Sequence, residues 1–177
     1  MTDAIAHRDR LLLKVIDSCM AHAAAKCGAQ PHCMAGCPGC CVGPFFITPL
    51  DAWRLRQGLA KLPSALAAAI RERARQCLAT IGERPLEEFP LLPCPALDPT
   101  LGTCDLYAHR PITCRTFGPP VLIGGDPLPP CKTCFSAAGD EEIEAARVEI
   151  DPDGMESWAL DLFDSPHTTI AAALANP

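Results

Sequence analysis

Four cysteines within nine residues, Cys33-Met-Ala-Gly-Cys37-Pro-Gly-Cys40-Cys41, constrain this chain more than any other feature. Simple packing does not explain such density. Two thiols converge on one ion only when a short loop turns both sulfurs to the same point, with sulfur about 2.3 Å from a zinc. Cys37-x2-Cys40 has that form, because Pro38-Gly39 forces a turn. Cys131-Lys-Thr-Cys134 repeats the spacing. Adjacent Cys40 and Cys41 add a second expectation. Neighbouring side chains diverge in extended backbone, so the pair points to two metals or a multinuclear centre that uses both faces of the loop.

Compartment decides between metal and disulfide. The apolar stretch Leu11-Leu12-Leu13 is broken at once by Lys14 and Asp17, too soon for a signal-peptide core. No run approaches the ~18 apolar residues of a membrane span. The expectation is a cytoplasmic chain, where clustered cysteines bind metal or do redox chemistry. The 12 cysteines accompany 19 prolines, many of them between Pro85 and Pro130, so the middle of the chain is loop-rich and needs something besides apolar burial to hold it. A formal charge of −6 from 15 basic and 21 acidic residues argues against a nucleic-acid surface, which needs a basic stripe.

The rest reads as helix. Ile5, Leu12, Val15, Ile16, Cys19 and Ala23 recur at helical spacing over residues 3–26, with Gly28 as a stop. Val42 to Ile47 is apolar and extended. Thr48-Pro49-Leu50-Asp51 is a helix start by cap, proline and first-turn charge. That helix runs to about Lys61, and an alanine-rich one covers 64–81 before Gly82. A short helix near Pro111 holds Cys114. Further helices are expected over 140–148 and 155–163, with Ser165-Pro166 starting the last. The fold class is therefore mainly α, with irregular cysteine-rich loops organised around metal and at most a small β element. A single domain over 1–177 is expected: an N-terminal helix in 1–30, a metal-binding region in 33–134 and a helical extension in 140–177.

Cys19 and Cys77 read as small core residues on helices, and Cys27 is divided between helix-end packing and ligation. His32 and His109 read as loop residues more readily than as ligands. Around the remaining cysteines the order of residues is specific. Cys94-Pro-Ala-Leu, Gly102-Thr-Cys104-Asp-Leu-Tyr107 and Arg110-Pro-Ile-Thr-Cys114-Arg115-Thr-Phe117 together resemble the signature of the YkgJ-type cysteine-cluster family, the CxxCxxCC proteins. The resemblance spans about residues 33–134. Its opening block corresponds to Cys33, Cys37, Cys40 and Cys41, and its last cysteine falls on Cys131, with Cys134 as the competing choice. One departure is the first spacer, Met34-Ala35-Gly36, which has three residues where the family has two.

The resemblance implies chelation of zinc or iron by about eight thiolates drawn from Cys33, Cys37, Cys40, Cys41, Cys94, Cys104, Cys114, Cys131 and Cys134. Two four-sulfur sites, or a pair that includes an iron–sulfur cluster, would use them. Ligand softness favours zinc, Cu(I) or iron–sulfur over magnesium or calcium. Arg110, Arg115 and Lys132 are placed to offset thiolate charge. No reaction transfers with these motifs. The leading expectation is a metal-binding protein, beside an iron-containing oxidoreductase or electron carrier and a metal storage or delivery protein. Metal ions are the expected partners, a protein partner is compatible with the acidic surface, and neither nucleic acid nor membrane is expected.

Overall fold

The structure, a computed structural model, describes residues 2–26, 36–85, 88–133, 135 and 138–175. It is mainly helical with small two- and three-stranded sheets, as the sequence predicts. The chain forms two compact units, each assembled from two separated stretches: Met1–Met34 with Ile112–Asp164, and Ala35–Pro111 with Ser165–Pro177. Among the described residues, no helix is long and apolar enough to cross a membrane.

In the first unit, helix α1 (Thr2–Lys26) buries Ile5, Asp9, Leu12, Ile16 and Ala23 along one stripe. This is the expected face with Asp9 added, while Cys19 and Val15 stand at its half-buried edge. The stripe packs on α4 (Ile112–Arg115), β4 (Val148–Glu149) and α6 (Met155–Leu160). Strands β2 (Val121–Ile123) and β3 (Asp126–Leu128) form a hairpin around Gly124–Gly125, and β4 joins β2 in parallel with Val121 opposite Val148. The Glu149 carboxylate accepts from both turn amides at 3.1 and 3.0 Å, which ties the crossover to the hairpin. Helix α5 (Asp140–Ala146) supplies that crossover, and the Asp151 carboxylate accepts from the Met155 and Glu156 amides at the start of α6.

In the second unit, α2 (Pro49–Leu59) starts as expected: Thr48 Oγ1 accepts from the Asp51 amide at 3.2 Å. Helix α3 (Ser64–Ile81) follows Pro63 and ends at Gly82. The last helix, α7 (Ile170–Ala175), packs on both α2 and α3. Small residues make this approach possible, since Ala67, Ala74, Ala171 and Ala173 are buried beside Leu50, Leu55, Ile70 and Leu174. The start of α7 lies later than Ser165-Pro166. Thr169 caps it by accepting from the Ala172 amide at 3.1 Å. The β-branched pair Thr168–Thr169 (β5) instead extends to pair with Phe46–Ile47 (β1), whose backbone groups would otherwise lack a ladder partner.

Candidate metal centre

The second unit brings three separate stretches of cysteine together. Pro38-Gly39-Cys40-Cys41 is a tight turn in which the Cys41 amide donates to the Pro38 carbonyl at 2.8 Å. The chain then runs antiparallel to residues 92–94: the Cys94 amide donates to the Cys41 carbonyl at 2.7 Å, the Gly43 amide to Leu92 at 2.9 Å, and Val42 bridges Pro93. Cys94 begins a second reversal. Leu97 pairs with Cys104, the Asp98 amide donates to the Thr103 carbonyl at 2.8 Å, and the Asp105 amide to Ala96 at 2.8 Å. Cys40, Cys41, Cys94 and Cys104 therefore come from positions up to 64 apart in sequence and meet through two short ladders.

The adjacent pair behaves differently from the expectation of diverging side chains. The Cys40 and Cys41 side chains hydrogen-bond to each other. The reason is the turn: alternation of side chains belongs to extended backbone, and the Pro38–Cys41 hydrogen bond excludes it here. A single centre can accordingly use both thiols.

Three contacts fix the 94–105 reversal. Asp98 ties its tip by accepting from the Thr100 and Leu101 amides at 2.7 and 2.8 Å. Gly102, at φ +66°, lies so close to Gly36 that a Cβ there would meet the Gly36 carbonyl oxygen at 3.3 Å. A Cβ there would require the Gly36 backbone to give by a few tenths of an ångström, and the positive φ also favours glycine, so this residue suits the approach of the start of the Cys37 loop to the reversal. From α3, Arg73 Nε donates to the Pro95 carbonyl at 2.7 Å while its Nη2 pairs with Asp105 at 2.8 Å, so one guanidinium grips both arms.

The electrostatics favour neutral thiols until something takes the proton. Contact with Cys41 pushes the Cys40 thiol strongly up, burial adds to this, and its own backbone amide and Arg110 oppose it. Burial pushes Cys94 up to about 11, against the Ala96 amide and Arg73, with Cys104 and Cys77 adding to the rise. Cys104 is raised for the same first reason, opposed by the Leu106 amide and Arg110. These four thiols thus sense one another, with Arg73 and Arg110 as the nearby cations. They are gathered without being closed into a tetrahedron: among the described residues, no three His, Cys, Asp or Glu side chains converge closely enough to hold an ion. The donor chemistry fits a soft, thiophilic metal, and the two reversals give each thiol pair its own anchored backbone.

Cys37 lies in the same unit, half-buried. Cys114 and Cys131 belong to the first unit, on α4 and just after β3, where the Cys131 amide donates to Gly118 at 2.9 Å. Cys33, Cys134, Cys27, His32 and the Gly28 stop lie outside the described residues. Cys19 is half-buried, with burial and then Asp151, Glu149 and Asp153 raising its thiol. Cys77 lines a shallow apolar cleft with Pro93 and Pro95, and its Sγ donates to the Pro93 carbonyl at 3.7 Å. Arg115 pairs with Asp17 at 3.0 Å, and Lys132 is exposed. His109 packs beside α2 near Lys61. Arg73 was hidden in the sequence as one of several arginines on a helix, and only its position one side-chain length from Pro95 and Asp105 singles it out.

Comparison with curated proteins and with solved structures finds no match to either. A family model does match, over residues 32–122, just over half of the 177 residues, under the description "CxxCxxCC: Putative zinc- or iron-chelating domain". That span contains the Cys40–Cys41 turn, the 92–94 ladder, the 94–105 reversal and α4. The chain belongs to the CxxCxxCC family of zinc- or iron-chelating domains.

Proposed function

We propose that this protein binds a zinc or iron ion through Cys40, Cys41, Cys94 and Cys104. The observation that carries this reading is the Cys94 amide bonded to the Cys41 carbonyl, which joins two sequence-distant thiol stretches by backbone and leaves their side chains to ligate. Cys37 is the reserve ligand of the same unit. Cys33, Cys114, Cys131 and Cys134 supply the remaining family positions, so the full count of about eight thiolates and a second ion rests on them.

A bound divalent ion supplies four strong bonds to sulfur where the loops have little apolar core of their own. The chain's own groups divide the remaining work. Arg73 holds both arms of the reversal, Arg110 offers positive charge, and the turn at Pro38-Gly39 aims two thiols from one loop. Raised thiol pKa values mean that each ligand must lose a proton, so uptake strengthens as pH rises through neutrality.

Metal and acid-labile sulfide content, with the visible spectrum, on protein purified without oxygen or chelator tests this reading. Colourless protein with stoichiometric zinc supports a closed structural site. Iron with sulfide and a brown sample supports the iron–sulfur form and an electron-carrying role, and zinc or iron that exchanges with a chelator in seconds to minutes supports storage or delivery. Metal-free protein that takes up neither ion on reconstitution refutes the assignment.

A further inference from the structure

The backbone ladder of the 94–105 reversal stops one rung short of Cys94. Working out from the tip, the Asp98 amide donates to Thr103 and the Asp105 amide to Ala96, each at 2.8 Å. In antiparallel register the next rung would join residue 94 to residue 107. Both are engaged elsewhere. The Cys94 amide donates to Cys41 at 2.7 Å and its carbonyl accepts from Leu97 at 2.9 Å, while the Tyr107 amide donates back to Cys104 at 3.2 Å. Among the described residues, backbone pairing between the two arms therefore ends at Ala96 and Asp105, and does not reach Cys94.

Arg73 stands where that rung is missing. Its Nε donates to the Pro95 carbonyl at 2.7 Å and its Nη2 to Asp105 Oδ2 at 2.8 Å. Pro95 follows Cys94 and Asp105 follows Cys104, so one planar guanidinium spans the residues next to both thiols. A rigid fork holds two acceptors at a set separation, which a flexible ammonium does not. The Arg73 and Asp105 side chains are 27% and 11% exposed, whereas Arg75 and Glu72 on the same helix pair with both more than half exposed. One turn after Arg73, Cys77 Sγ donates to the Pro93 carbonyl at 3.7 Å. The carbonyls on either side of Cys94 are thus both taken by α3.

Resting on the metal reading above, we propose that Arg73 is a positioning residue for the thiol centre. It replaces the missing rung, acting on Cys94 through Pro95 and on Cys104 through Asp105. The two thiol-bearing arms are thereby spaced before a thiophilic divalent cation arrives, and the cation is spared the cost of ordering them. Cys77 is the second tie on Cys94, serving by its hydrogen bond to Pro93 and not as a ligand.

Hydrogen exchange at the amide of position 105, read by NMR in chelator-treated protein, reports on the strap without any metal. Arg73→Met keeps a good helix former in α3 and removes both donors. Asp105→Ala breaks the same contact from the loop side. In either variant that amide loses about tenfold in protection while the amides in the middle of α3 keep theirs. A merely structural role would lower all of them together. Zinc affinity, read by competition with a chromophoric chelator, falls about tenfold in each, and the double variant loses no more than either alone. Arg73→Lys restores the charge without the fork and recovers little of the loss. Cys77→Ser keeps a donor for Pro93 and stays within severalfold of the unaltered affinity.

Unchanged protection or unchanged zinc affinity in Arg73→Met overturns the proposal, as do losses from Arg73→Met and Asp105→Ala that add in the double variant. Uniform loss of protection along α3 overturns it too, since the residue would then act on the fold as a whole. A Cys77→Ser protein that loses more than roughly 100-fold makes Cys77 a ligand and overturns its assignment as a tie. Should the unaltered chain take up neither zinc nor iron, the metal reading falls. A selective loss of protection at position 105 would then still establish the strap and confine the failure to that reading.

Discussion

The two units differ in one use of charge: among the ion pairs of the described residues, a pair with both partners buried is found in the thiol-bearing unit. In the unit that holds Cys40, Cys41, Cys94 and Cys104, one ion pair is wholly buried, Asp51 with Arg54 at 3% exposure, and Arg73 grips Pro95 and Asp105, while the helix-surface pair Arg75–Glu72 stays in water. In the other unit the pairs have one partner in water. Arg115 is 9% exposed but its Asp17 is 55% exposed, and Glu144, paired with Arg147, is 70% exposed. Helix burial along α1 and the small sheet organise that unit, and Glu149, Asp151 and Arg147 tie individual backbone amides and carbonyls at its turns. The contrast teaches where polar structure is needed: beside irregular loops that cannot define themselves by apolar packing, buried hydrogen-bonded groups fix backbone positions one at a time.

Replacing thiols sharpens the comparison most. Cys94→Ser and Cys104→Ser each lower zinc or iron affinity by more than the roughly 100-fold ceiling of an outer-sphere change. Cys19→Ser, in the other unit and flanked by Asp151, Glu149 and Asp153, leaves affinity unchanged. Chelator competition on the three variants reads both outcomes, and equal losses would break the assignment of the centre to the second unit.

Charge replacement is next. Arg54→Met removes the cation from a buried ion pair and destabilises the protein by about 3–5 kcal/mol in denaturant unfolding. Breaking the half-exposed pair of the other unit by Asp17→Ala costs at most about 1 kcal/mol. Similar losses would mean that the two units do not differ in how they use charge.

A pH series gives an intermediate effect with a definite sign. Burial raises the Cys94 pKa in the folded state to about 11, so folding favours its neutral form. In metal-stripped protein that contribution is fully present below the unfolded value near 9 and is lost as pH rises through 11, about 3 kcal/mol in all. Cys94→Ser flattens the curve. Metal uptake has the opposite trend, strengthening with pH because the thiols must ionise. The smallest effect is expected at the loop tip. Gly102→Ala strains a positive φ and crowds the Gly36 carbonyl oxygen, costing about 1–2 kcal/mol and lowering metal affinity only severalfold.

Much of this was legible beforehand. The apolar stripe of α1 and the Thr48–Pro49–Asp51 helix start rest on local periodicity and capping, and both appear where the residues put them. The order of cysteines around Gly102, Tyr107 and Arg110 indicated the family, which the match over 32–122 shows. Less legible was the last helix. Ser165-Pro166 and Thr169 are both plausible starts by local chemistry, and pairing of Thr168–Thr169 with Phe46–Ile47 selects the later one.

What the sequence determined by itself is therefore helix content, the abundance of soft cysteine side chains and family membership, because capping, periodicity and residue spacing act over a few neighbours. What only the tertiary structure decided is the company each residue keeps. It turned Cys40 and Cys41 to a common side, set Cys94 on Cys41 and gave Arg73 to the 94–105 reversal. It also paired Arg115 with Asp17 across 98 residues of sequence. Those choices depend on backbone hydrogen bonds and ion pairs between positions tens of residues apart, and no local pattern encodes which distant partner will be within reach.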